Sequence, residues 1–399
     1  MRESRVGVGV IGVGGISSYV HLPGLRLCPQ AEIVAVCDAN GDLAQQRAAE
    51  YGVPHVLTDY QDLLRLPVVD AVVVATPTVL HAPIALAAIA AGKHVLVEKQ
   101  LAMDYAEAVT MYEAAEQAGV RHMTAFTYRF VPAMRYLRHL LGRGVAGLPR
   151  HLRLARFQDW PEVDLGWRQH RKLAGSGEVG DMGSHRIDYC HDLIGPIARV
   201  VGVTRTFVPV RSGRDGGPPV PADVEDFATF IAEFAPGVGV EQGTVAAFEL
   251  SKVAKGRRVG GEGLDELDVY GTDGTLIYHL DRPHEVQIGR PGGSLETVAV
   301  PREFLTYPGS PRDPYKGDPI TTFRYDEDIA FVQAIVEDRP CSPSFYDGMR
   351  CQAVVDAVLQ SAAERRWVDV ADVPPVTAPL ACSARREESV GTEQDLPAN

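Results

Sequence analysis

A lysine and a closely spaced aspartate–histidine pair are the residues of this chain best suited to moving protons. Lys99 lies in the run Val97-Glu98-Lys99-Gln100. The second cluster is Gly180-Asp181-Met182-Gly183-Ser184-His185-Arg186-Ile187-Asp188. On a helix, Asp181, His185 and Asp188 fall at i, i+4 and i+7 and share one face. Histidine suits reversible proton transfer because its ordinary pKa lies near neutrality. Asp181 is expected to orient the ring and draw its pKa upward, and a lysine ammonium beside them would stabilise a developing oxyanion. Gly175, Gly177 and Gly180 permit close approach of backbone to a ligand. A metal is not expected, since one histidine is well placed and His191 falls on another face. Taken alone, Lys99 reads better as an ordinary surface lysine, so its placement in the fold decides its meaning.

The first glycine-rich run supplies that placement. Gly12-Val13-Gly14-Gly15-Ile16-Ser17 stands between an apolar strand and a helical stretch. Gly12 allows a tight turn, Gly14 lets a pyrophosphate approach the backbone, and the following helix start offers free N–H groups to the anion. Ser17, a small residue, stands where such loops often carry a third glycine. Asp38 ends the next strand, 26 residues after Gly12, where a carboxylate meets the ribose hydroxyls of a dinucleotide. Ala39 and Asn40 bring no cation for a 2′-phosphate, so the pattern favours NAD over NADP.

The elements that must position these residues are legible from periodicity. Val6–Ile11, Glu32–Cys37, Asp70–Ala75, His94–Val97 and Gly119–Thr124 read as strands, separated by helical patterns at Gly41–Tyr51, His81–Ala91 and Tyr105–Ala118. Apolar strands alternating with helices predict a doubly wound parallel sheet covered on both faces. Ligands of such sheets bind outside the carboxyl ends of the strands, which puts Lys99 beside the cofactor. Beyond Thr127 the pattern changes. Val131–Leu141 and Glu178–Ile194 read as helices, residues 198–300 as successive strands with glycine turns, and Asp326–Glu337 and Asp347–Glu364 as helices again. The fold class is therefore α/β followed by an α+β domain with a large, mostly antiparallel open sheet. The expected divisions are 1–126 for cofactor binding, 127–372 for substrate binding and oligomerisation, and a polar tail over 373–399.

Composition narrows the partners. A formal net charge of −13 argues against nucleic acid and anionic membrane surfaces. No apolar run is long enough to span a bilayer, and the short glycine-broken start does not read as a signal peptide. Six scattered cysteines have neither metal nor redox spacing, which fits reduced thiols in the cytoplasm.

Taken together, the motifs resemble the Gfo/Idh/MocA oxidoreductases. The resemblance runs from about Val6 to Val370 and rests on Gly12-Val13-Gly14-Gly15-Ile16, Thr76-Pro77 with His81, and Ala91-Gly92-Lys93-His94-Val95-Leu96-Val97-Glu98-Lys99. Tyr128-Arg129-Phe130, Trp167-Arg168, and Asp181 to His185 with Asp188 extend it. It implies an N-terminal Rossmann domain in which Gly12, Val13, Gly14, Gly15, Ile16, Asp38, Thr76, Pro77, His81, Glu98 and Lys99 attend NAD, joined by Arg129, Trp167 and Arg168. It implies a catalytic group of Lys99, Asp181 and His185, with Tyr128 and Arg168 beside them at the substrate. It also implies a homodimer or homotetramer. Gln100 replaces the family's proline after the lysine, which leaves the pose of Lys99 to be established.

The expected reaction is oxidation of a secondary hydroxyl of a sugar, anhydrosugar or cyclic polyol by NAD. Two alternatives stay open: a redox-assisted sugar lyase or glycosidase that returns the hydride, and a non-catalytic NAD-binding sensor. The segments 157–171 and 253–263 are expected to shape the pocket. There Trp160, Trp167, Arg156, Arg168 and Arg171 either meet a pyranose ring or serve as core and surface.

Overall fold

The computed structural model describes residues 5–371 apart from 161, 238–240, 242 and 258–262. The tail expected over 373–399 lies outside the described residues, as does most of the expected turn at 260–263. In chain order the first half comprises β1 (Val6–Ile11), α1 (Leu22–Leu27), β2 (Ala31–Cys37), α2 (Gly41–Tyr51), β3 (His55–Leu57), α3 (Tyr60–Leu64), β4 (Ala71–Val74), α4 (His81–Ala90), β5 (His94–Val97), α5 (Tyr105–Ala118) and β6 (His122–Thr124). The six strands are parallel in the order β3-β2-β1-β4-β5-β6. β1, β4 and most of β5 are buried, as an unbroken Val/Ile pattern requires when helices cover both faces. Three residues make β3, too few for a periodicity to register, and the sequence reading passed over both it and α3.

The second half carries α6 (Pro132–Gly142), β7 (Pro149–Phe157), α7 (Arg171–Ala174), α8 (Ser184–Leu193), β8 (Ile197–Arg205), β9 (Val210–Arg211), β10 (Val220–Pro221), β11 (Phe227–Phe234), β12 (Val245–Ser251), β13 (Leu264–Gly271), β14 (Thr275–His279), β15 (Glu285–Gly289) and β16 (Leu295–Ala299). It closes with α9 (Pro319–Thr322), α10 (Tyr325–Val336), α11 (Phe345–Glu364) and β17 (Val368–Asp369). Nine strands form one sheet in the order β16-β15-β14-β13-β7-β12-β11-β8-β17. All pairs in it are antiparallel except β7 with β12. β7 occupies its centre, with Leu152 and Leu154 buried and, at the alternate positions, His151 exposed and Arg153 partly so. That alternation was present in the sequence but was not read as a strand.

α11 ties the halves together. Ser344 and Asp347 close a reciprocal cap at its start, and it packs against α5 and β6 on one side and α8 and β8 on the other. The five cysteines among the described residues are free and buried. Among the described residues, no helix is long and apolar enough to cross a membrane, and no group of histidine, cysteine and acidic side chains is arranged to hold a metal.

Candidate active site

Each predicted motif of the first sheet lies just beyond the carboxyl end of a strand: the glycine loop after β1, Asp38 after β2, Thr76 and Pro77 after β4, and Glu98 and Lys99 after β5. They border a cavity of about 510 Å³ whose far wall comes from the second half of the chain. Gly12 has φ +86°, and a Cβ there would press on the Ala75 carbonyl. Only glycine makes that turn without strain. Gly14 and Gly15 have open space where a Cβ would stand, and they line the cavity with Ile16. Val13 is buried, and its N–H donates to Asp38 Oδ2 at 2.9 Å, which fixes the carboxylate at the cavity wall. Ser17 donates to the Gly12 carbonyl, so the serine closes the loop from inside. The bare glycine floor and the tethered carboxylate fit a dinucleotide.

Three expected cofactor contacts need correction, the first being Val13, which is enclosed behind the loop and does not border the cavity. Arg129 does not border the cavity. Its guanidinium is held by Asp188, Asp347 at 2.9 Å and Asp192 at 3.4 Å, a buried cation surrounded by carboxylates. Asp188 is turned to that arginine rather than to the face of Asp181 and His185. His81 lies behind the wall, 2.9 Å from the Gln100 carbonyl and 3.0 Å from the Thr76 carbonyl, and so braces two lining segments without lining the site. Glu98 does line it, lies 3.2 Å from His21 and accepts the Lys99 N–H.

Gln100 answers the question raised by the missing proline. Its buried amide donates to the Ala174 carbonyl at 2.7 Å and accepts from Ser176 Oγ at 3.0 Å. A Cβ on Gly180 would fall on the Gln100 amide oxygen and one on Gly175 would press on its amide nitrogen, so these two glycines make room for the glutamine.

Lys99 meets the other half of the chain at the start of the second motif. Its Nζ lies 2.6 Å from Asp181 Oδ1 and 2.7 Å from the Asp181 carbonyl oxygen. Residues 179–183 form one wide helical turn that passes into α8, where His185 stands fully enclosed. Asp181 does not hold the His185 ring as expected, and its expected upward pull on the ring's pKa is present but outweighed. Asp181 is engaged by Lys99 and, through Oδ2 at 2.8 Å, by Lys252. Burial, followed by the positive charges of Lys99, Arg186 and Arg324, holds the His185 pKa well below its ordinary value; Asp181 opposes this only weakly. The imidazole is therefore neutral, and Tyr128 packs edge-on against it at 4.5 Å. Despite burial, Lys252 and Lys99 hold the Asp181 carboxyl well below the usual carboxylate range.

Tyr128, Trp160, Trp167, Arg168 and Arg156 line the same cavity, with the Arg168 guanidinium 4.5 Å over the Trp167 ring. Arg171 does not; its guanidinium donates to the Asp223 carbonyl and lies 3.8 Å from the Glu225 carboxylate. Of the segment 253–263, residues 258–262 lie outside the described residues. Lys252 and Glu178 escaped the sequence reading. The signal available was a lone lysine ending a β-strand pattern, which local spacing cannot distinguish from any other.

The model of the GFO/IDH/MocA oxidoreductase family with NAD-binding Rossmann fold matches residues 6–126, and that of the GFO/IDH/MocA C-terminal domain matches residues 134–277. The chain is 31% identical to levoglucosan dehydrogenase of Pseudarthrobacter phenanthrenivorans, covering 94% of this chain and 99% of that one. A solved structure of levoglucosan dehydrogenase in complex with NADH and L-sorbose superposes with a TM-score of 0.83 at 31% identity, covering 92% of this chain and all of that one. An oxidoreductase domain protein from Kribbella flavida superposes with a TM-score of 0.82, also at 31% identity, covering 92% of this chain and 100% of that one.

Proposed function

The chain belongs to the Gfo/Idh/MocA oxidoreductase family, and from that premise we propose that it oxidises a secondary hydroxyl of a sugar, anhydrosugar or cyclic polyol to the ketone. The observation that carries this reading is the contact of Lys99 with Asp181 at the cavity wall, with the neutral ring of His185 beside them.

Gly12, Gly14, Gly15, Ile16 and Asp38 would hold NAD at one end of the cavity, with Thr76, Pro77, Glu98, Trp167 and Arg168 toward the other. When bound, NAD supplies the hydride acceptor. Lys99 donates a hydrogen bond to the substrate oxygen and lowers the cost of its developing negative charge. His185 is already in its base form and accepts the hydroxyl proton; its depressed pKa makes it a brief holder that releases the proton readily. Asp181 fixes the Lys99 ammonium. Tyr128 limits the tilt of the His185 ring, and Trp160 and Trp167 offer flat apolar faces to a sugar ring.

The test is NADH formation, followed by near-ultraviolet absorbance, with NAD⁺ or NADP⁺ and a panel of inositols, aldoses, anhydrosugars including levoglucosan, and glycosides. Steady NADH with one class is expected and names the substrate. No NADH from any member, with NADH still bound tightly, would sink the dehydrogenase reading in favour of a redox-neutral lyase or a sensor.

We place the enzyme in the cytoplasm, which the free buried cysteines support. We also read it as a homodimer or homotetramer, supported by the exposed Val203 and Ile231 on β8 and β11; light scattering in solution tests that.

A further inference from the structure

Asp181 is gripped from two sides. Lys99 approaches Oδ1 from the cavity, and Lys252, directly after β12, approaches Oδ2 at 2.8 Å from behind. Lys252 is buried under the Trp160 ring, and its Nζ lies 3.5 Å from Glu178. Glu178 is wholly buried, and neither of its carboxyl oxygens has a hydrogen-bond partner among the described residues. A buried lysine is costly unless its charge is used or paired, and the sequence motif around Asp181 does not call for one.

The charge count shows what this lysine does. Lys99 and Asp181 alone sum to zero, and a neutral pair offers little to an alkoxide. With Lys252 the trio carries one net positive charge, aimed at the cavity where negative charge develops on the substrate oxygen. We propose that Lys252 is a positioning residue for the reaction: it holds Asp181 as an anion from behind and leaves the charge of Lys99 uncancelled at the substrate oxygen, while Glu178 governs how much of that charge survives. The inference rests on the roles given above to Lys99 and Asp181.

Glu178 is faced by Lys252 from the end of β12, by Asp181 on its own turn, by Arg156 on β7 and by Arg186 on α8. Burial first, then Asp181, push its carboxyl up to about 7 against those three cations. Protonated, Glu178 leaves the charge of Lys252 intact. Ionised, it cancels that charge. The field at Lys99 therefore weakens as pH rises through neutrality.

Two variants and two readouts test this. In Lys252→Met, kcat with the best sugar of the panel should fall about tenfold or more, while the Kd for NADH, read by nucleotide fluorescence, stays unchanged. In the cofactor-free protein, the Asp181 carboxyl carbon, assigned by its loss in Asp181→Asn and followed by ¹³C NMR, should titrate at higher pH in Lys252→Met than in the wild type. Glu178→Gln, a neutral replacement of the same shape, should match wild-type kcat below neutrality and exceed it above. An Asp181 titration identical in wild type and Lys252→Met overturns the proposal whatever the rates. If Lys252→Met does not fold, a wild-type to Glu178→Gln rate ratio that stays constant with pH overturns it instead. If no sugar yields NADH, the dehydrogenase reading fails by itself, and the NMR titration still decides the role of Lys252.

Discussion

The Nζ of Lys99 stands 2.6 Å from Oδ1 of Asp181 and 2.7 Å from that residue's carbonyl oxygen, so one ammonium group holds both the side chain and the backbone of a residue 82 positions away. The contact joins the end of β5 to the turn that opens α8, and it closes the cavity wall where the two halves of the chain meet. Lys99 and Asp181 thus form a unit. Lys99→Ala and Asp181→Asn should each lower kcat by about 10²–10⁴. The double variant should be little worse than the worse single one, because the partners act together. Rates that fall by the product of the single effects would show that they act separately.

Asp38 is fixed by the Val13 N–H through Oδ2 and by the Asn40 N–H through Oδ1 at 2.9 Å. Held at the cavity wall, the carboxylate repels a 2′-phosphate, and like charges brought together cost several kcal/mol. Asp38→Ser should raise the ratio of kcat/KM for NADP⁺ over NAD⁺ by about tenfold or more. An unchanged ratio, measured with one sugar, would remove Asp38 from cofactor selection.

Gln100 links the lysine loop to residues 174–176 through two buried hydrogen bonds. Gln100→Ala leaves the Ala174 carbonyl without that donor and removes the acceptor for Ser176. Urea denaturation should show a loss of about 1–3 kcal/mol, and kcat should fall with it as Lys99 loses its anchor. A variant of full stability and full activity would refute the anchoring role.

His191 is buried, and its ring Nδ1 has no hydrogen-bond partner among the described residues. Burial, with Arg350 and Arg129, keeps its pKa well below the ordinary value. The unfolded chain takes up a proton near pH 6.5 whereas the folded protein does so only at lower pH, so this residue costs stability as pH falls below about 6.5. Relative to the wild type, His191→Phe should gain in Tm as pH drops from about 7 to about 5. A difference in Tm that stays flat over that range would contradict the depressed pKa.

Local pattern alone determined much of this protein. Val6–Ile11, the glycines after it and Asp38 specify a strand, a tight turn and a carboxylate at the end of the next strand. Those features depend on residues a few positions apart, where β-pattern, glycine φ and chain direction are set by short-range sterics. Lys99 was legible for the same reason: the parallel order of the strands puts every strand end on one edge.

Tertiary structure alone decided the partnerships. Asp181 is taken by Lys99 and Lys252 rather than by His185, and no spacing announces a contact between residues 71 apart. Arg129 is withdrawn from the cavity because Asp188, Asp192 and Asp347 converge on it from two helices. The neutrality of His185 likewise comes from enclosure and from cations on its own helix and on two other segments, Arg186, Lys99 and Arg324. Burial and long-range electrostatics are sums over everything that packs around a group, so they exist only once the two halves of the chain have come together.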